Sequence, residues 1–134
     1  MTIRRRALVA AQPAAWKLVR AMLDEVIDLV PAYTTAEVFR ALARDAPAID
    51  LIISTIAFDD SQMLDFLQTV KSHPTLNHIP FLCSRVLPSV LPDHLVPAMR
   101  LVAKESGATD LVDVAMLPPD AARSVFRAAV ASCV

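Results

Sequence analysis

Five short apolar runs, each followed by a longer stretch of helical periodicity, constrain this chain more than any other feature. The runs are RALVAA (6–11), a weaker one within VIDLVPA (26–32), AIDLII (48–53), HIPFLCS (78–84) and TDLVDV (109–114). They read as strands apolar on both faces, and strands of that kind belong to parallel sheets covered by helices on both sides. The helical stretches between them have the length that parallel crossovers require. The expectation is therefore an α/β chain, doubly wound, with one five-stranded parallel sheet and one domain spanning 1–134.

The intervening segments carry their own signals. PAAWKLVRAMLDEV (13–26) predicts a helix with Pro13 in its first turn, and Ala15, Leu18, Val19, Met22 and Val26 on one face. Thr34-x-x-Glu37 is a capping-box pattern that opens a second helix with Val38, Phe39 and Leu42 inward. DDSQMLDFLQTVKS (59–72) predicts a third, with Asp59-x-x-Gln62 as its cap. Pro88, Pro92 and Pro97 make the next stretch irregular, and AMRLVAKES (98–106) restores a helix that stops at Gly107, the only glycine, as a left-handed cap. The last helix lies in PPDAARSVFRAAVASC (118–133), with Val125, Phe126, Ala129, Val130 and Cys133 available to the core.

Composition excludes several classes. With a net charge of -1 and only Arg4, Arg5 and Arg6 as a dense basic cluster, the chain lacks the footprint expected for nucleic acid or an anionic membrane. No stretch approaches the roughly 20 apolar residues of a membrane span, and the five residues ALVAA are too short for a secretory core. Cys83 and Cys133, 50 positions apart, have no metal-like spacing. The expectation is a soluble cytoplasmic protein with reduced thiols and no cofactor.

Parallel sheets of this kind bind ligands beyond the carboxyl ends of their strands, here marked by Ala11, Thr55, Ser84 and Val114. Motifs at these edges carry a resemblance. RALVAAQP, AYTTAEVF, DLIISTIAF, NHIPFLCS and SGATDLVDV, in that order, resemble the successive segments of the response-regulator receiver family, of the chemotaxis-receiver type. The resemblance covers nearly the whole chain and implies the flavodoxin-like fold with strand order 2-1-3-4-5. It also implies where phosphorylation chemistry would sit. The acidic pair that holds a divalent metal falls on Ala11 and Gln12, and the aspartyl nucleophile on Thr55. The hydroxyl residue after the fourth strand falls on Arg85, with Ser84 one step away, and the lysine of the fifth strand on Val114.

Each substitution removes a necessary function. A carboxylate attacks phosphorus to form an acyl phosphate, and magnesium offsets the charge through carboxylate oxygens. Ala11 and Gln12 offer no anion, Val114 no cation, and Thr55 lacks a base to activate it. The resemblance thus implies a degenerate pseudo-receiver, not an enzyme, which signals through contacts with a protein partner or with a second copy of itself. The alternative expectation is a sensor that takes a small anion or metabolite in the vacated pocket, among Gln12, Thr55, Ser84 and Arg85.

Other residues are weighed against plainer roles. Asp59 and Asp60 stand at the expected pocket rim, where one caps a helix and the other is solvated. Arg85 at the pocket rim could hold a carboxylate or phosphate bidentately or pair with Asp59 or Asp60; the plainer expectation is an internal ion pair that fills the phosphoryl space. His73 and His78 flank the entry to the fourth strand without the third ligand a zinc site needs. Trp16 and Leu23 lie seven apart, off the main core stripe of the first helix. Trp16, Arg100, Lys104, Arg123 and Arg127 mark the face where a partner would be met.

Overall fold

The structure, a computed structural model, describes residues 4–134. Its strands are β1 (Arg6–Ala10), β2 (Asp28–Ala32), β3 (Leu51–Thr55), β4 (Phe81–Arg85) and β5 (Asp110–Asp113). Its helices are α1 (Pro13–Leu23), α2 (Thr35–Asp45), the short α3 (Phe58–Ser61), α4 (Met63–Ser72), α5 (Val96–Glu105) and α6 (Pro119–Cys133). All strand pairs are parallel and the order is β2-β1-β3-β4-β5, as expected for the flavodoxin-like fold.

The period-two geometry of the strands divides the core in two. Leu8, Ile52, Phe81, Cys83 and Leu111 face α2, α4 and α5, where Phe66 packs between Phe58 and Phe81 at centroid distances of 5.5 and 5.2 Å. Val9, Leu51, Ile53, Leu82 and Val112 face α1 and α6, against Val19, Leu23 and Phe126. Every residue of β3 and β4 is buried, which is why these segments read as continuous apolar runs.

Gly107 ends α5 as expected. Its φ is +111°, the amide of Ala108 donates to the Ala103 carbonyl at 3.0 Å and that of Gly107 to Lys104 at 3.1 Å. These two bonds are the Schellman arrangement. A side chain here would also meet Lys71, since an added Cβ lies 2.8 Å from its Cγ. Lys71 is held in turn by the carbonyls of Asn77 and Ile79, and its partial burial lowers its pKa.

Several element details differ from expectation. α1 ends at Leu23, which is fully buried, whereas Leu18 and Val26 are exposed; the helix is rotated so that Val19 and Leu23 lead its inner face. Val125 is likewise exposed on α6, beside the buried Phe126. β3 begins at Leu51 because Ala46–Ala48 form a single 3-10 turn on Pro47. α5 begins at Val96, earlier than expected, because Pro97 falls in its first turn, where its missing N–H costs nothing.

Candidate functional site at the carboxyl edge of the sheet

The first half of this edge is neutral and closed. Ala11 is fully buried after β1, and its amide donates to the Ala32 carbonyl at 3.1 Å. Thr55 ends β3 with its hydroxyl 3.5 Å from the Ala10 carbonyl. Between them, Gln12, Ala15, Thr55, Val86, Leu87 and Val90 help to line a cavity of only about 70 Å³. Apolar side chains from the segment after β4, Val86, Leu87 and Val90, form much of its wall.

Ser84 and Arg85 do not line that cavity, contrary to the expectation that they surround it. Ser84 is opposite Thr55 in the sheet register, but its hydroxyl donates to the Ser54 carbonyl at 3.3 Å. Val114 is buried after β5 with its amide bonded to the Arg85 carbonyl at 3.0 Å.

Arg85 is the largest fully buried side chain, with 1% of its surface exposed. Its partners are not Asp59 or Asp60. Nη1 donates to both carboxylate oxygens of Asp113, at 3.2 and 3.1 Å. Nη2 donates to Asp93 at 2.5 Å and to the carbonyls of Pro88 and Leu91 at 3.2 and 2.9 Å. One guanidinium therefore ties β4 to β5 and gathers the proline-rich segment, Pro88 to Asp93, over the edge. The planar fork suits this task, since a lysine could not serve two carboxylates and two carbonyls from fixed directions. Burial alone would lower its pKa, but the bonds to Asp93 and Asp113 and their negative charge outweigh that, and the pKa is raised. Nε alone lacks a partner.

Asp59 and Asp60 also depart from expectation. Neither caps the third helical segment, which is broken: both residues, inside α3, are left-handed, with φ of 46° and 59°, and Gln62 separates α3 from α4. Instead Asp59 reaches across to the start of α2, where it accepts from the Thr35 amide at 2.8 Å and the Thr35 hydroxyl at 2.5 Å. These bonds, the hydroxyl first, hold its pKa below the ordinary value. Thr34 makes the expected cap within α2, accepting from the Glu37 amide at 3.1 Å. Asp59 thus completes a helix terminus and is turned away from the edge cavity.

The donor set does not fit magnesium. A hard cation needs several oxygen ligands, carboxylates foremost; Ala11 and Gln12 supply no anion, and Asp59 is engaged by Thr35. Among the described residues no three acids, histidines or cysteines are grouped so as to hold a metal ion. His73 is occupied locally, 3.0 Å from the Thr75 hydroxyl.

The residues expected on a partner face divide. Arg100 bonds the Leu111 carbonyl at 3.0 Å, and Arg127 bonds the Met22 carbonyl at 2.8 Å, so both brace their own fold. Trp16 packs half-buried against the α1–α6 core. Lys104 and Arg123 make no ion pair among the described residues and are exposed. The Asp113 and Asp93 partners of Arg85 escaped the sequence reading. The available signal was a lone charge in corresponding positions at the ends of two adjacent apolar strands.

No family model and no curated protein sequence matches the chain. Solved structures do match. The phosphorylated cyanobacterial phytochrome response regulator RcpA shares 13% identity at a TM-score of 0.74, covering 98% of this chain and 94% of that one. The chemotaxis response regulator CheY4 of Vibrio cholerae shares 16% at 0.67, covering 95% and 98%. A response regulator from Thermotoga maritima shares 14% at 0.69, covering 96% and 99%. The chain has the fold of response-regulator receiver domains along nearly its full length. Among the described residues no helix is long and apolar enough to cross a membrane.

Proposed function

We propose that this chain is a pseudo-receiver, a signalling module that takes no phosphoryl group and acts by protein–protein contact. One observation carries the reading: the place of the phosphoryl group is a cavity of about 70 Å³ walled by apolar side chains, with Thr55 where a carboxylate would be required. A threonine hydroxyl next to no base is a poor nucleophile, and neither a metal nor a lysine stands ready to offset charge. Catalysis is not part of this role.

The Arg85 network supports the same reading. It fastens the segment after β4, so that surface is presented in one arrangement rather than two. The exposed Leu95, Leu101 and Val102 beside Lys104 on and before α5 supply an apolar and basic surface for a partner or a second copy. Two free thiols, Cys83 and Cys133, suit a reducing compartment such as the cytoplasm. The test is incubation with magnesium and acetyl phosphate followed by intact-mass measurement. The expected result is an unmodified chain; a phosphoryl adduct that appears in proportion to donor and maps to Thr55 would overturn the reading.

A further inference from the structure

Where α1, α6 and the segments after β4 and β5 meet, the structure has a second concavity, which shares Val86 and Leu87 with the small cavity beside Thr55. Its volume is about 360 Å³. Val86 and Val114 are buried in its floor, and Leu18, Met22, Leu87 and Leu117 wall it. Leu18 and Leu117 remain 41% and 39% exposed at its mouth, although both are large and apolar. The chamber is apolar at the end of β5 because Val114 there is buried and carries no charge.

A polar chamber of about 380 Å³ adjoins it, and Ala21 and Arg123 line both. Lys17, Arg20 and Arg127 lie around this second space with Asp24 and Glu25. Arg127 is paired with Glu25 at 3.8 Å. Lys17, Arg20 and Arg123 make no ion pair among the described residues, so three unneutralised cations face one remaining acid, Asp24. An apolar chamber opening onto an excess of positive charge matches one ligand chemistry: a compact hydrophobic body that ends in an anion.

We propose that this bipartite site binds a small amphiphilic anion, its chain against Val86, Val114 and Leu18 and its head group on Arg123. The size follows from the apolar chamber. At roughly 30 Å³ per water-sized unit, it holds about twelve heavy atoms, the scale of a medium-length alkyl carboxylate. The anion reaches Arg123 and Arg20 across Ala21, whose small side chain leaves the passage open. Occupation would bridge α1 to the segment after β4, and so join ligand binding to the region that Arg85 holds fixed. The proposal does not depend on the protein-contact reading, because the site is complete within one chain.

Calorimetric titration of the full chain with decanoate, below its micelle concentration, tests it. Decanol, with the chain but no charge, and inorganic phosphate, an anion without a chain, serve as the two control probes. Decanoate should bind saturably at one site, at least tenfold more tightly than either. Arg123→Glu should weaken it at least tenfold, and Ala21→Trp should abolish it. Both positions are exposed, and thermal unfolding of each variant checks that it folds. Absence of saturable decanoate binding, equal binding of decanol, or unchanged affinity in both variants would overturn the proposal.

Discussion

The two halves of the sheet's carboxyl edge differ in how they treat charge. At β1 and β3 the edge has no ionisable group: Ala11 is buried, and Gln12 and Thr55 line a small apolar cavity. At β4 and β5 charge is present, but Arg85, Asp93 and Asp113 satisfy one another. The first half is silent because nothing there can hold or move charge. The second is silent because its charges are already engaged.

The two halves differ in energetics, and substitutions separate them. The largest effect is expected for Arg85→Ala. It leaves a cavity and deprives Asp113 of its partner, and breaking such a pair costs about 3–5 kcal/mol. Asp93 is 65% exposed and rehydrates, which favours the lower end. Urea unfolding measures the loss, and Arg85→Met with Asp113→Leu should recover most of it; no recovery would mean that the guanidinium's bonds to the Pro88 and Leu91 carbonyls, which Met cannot make, set its contribution.

Thr55→Asp tests the neutral half. A carboxylate placed at this buried position has no cation beside it, and desolvation raises its pKa. The sign follows: such a group is tolerated when protonated and increasingly destabilises as pH rises above the ordinary carboxylate range. The variant should lose about 2–3 kcal/mol at pH 7 and much less at pH 4, both relative to wild type in urea. Equal losses at both pH values would point to shape rather than charge. Addition of magnesium should not restore stability, because no second acid stands at Ala11 or Gln12.

Cys83 sharpens the comparison from within β4. Burial first, and then the charge of Asp110, push its thiol up to about 12 from 9.0. The unfolded chain therefore loses this proton first on the alkaline side. The stabilising contribution is full below pH 9.0 and is lost as pH rises towards about 12. Cys83→Ala should reduce the alkaline slope of stability by about 1.4 kcal/mol per pH unit in paired denaturation curves. In a Cys133→Ser background, Cys83 should resist thiol reagents until Arg85 is removed. The smallest effect belongs to Asp60→Gly. It relieves a left-handed backbone at an exposed position and should gain up to about 1 kcal/mol by chemical unfolding; a loss would mean that the Asp60 side chain contributes a contact.

Much of the fold was legible because its determinants are local and periodic. Apolar runs marked all five strands, Thr34-x-x-Glu37 marked the start of α2 and Gly107 the end of α5. Burial on α1 and α6 was less legible: Leu18, Val26 and Val125 fit a helical face by spacing, but their exposure depends on what stands opposite. That Ala11, Gln12 and Thr55 carry no charge shows in the residue types alone. The charged half of the site could not be completed. The Arg85 partners lie 8 and 28 residues away, and only strand order places Asp113 beside it. Asp59 was misread because an acid before a helical pattern looks like its cap, whereas a left-handed backbone turns this one towards Thr35.

The central claim is that the first half of the edge has no capacity for a phosphoryl group. Titration of the isotope-labelled chain with magnesium and beryllofluoride, followed by amide spectra, tests it most directly. The account predicts no saturable shift at Ala11, Gln12, Thr55 or Val114 at any excess of the two. Saturating shifts at these amides that require both reagents together would contradict it.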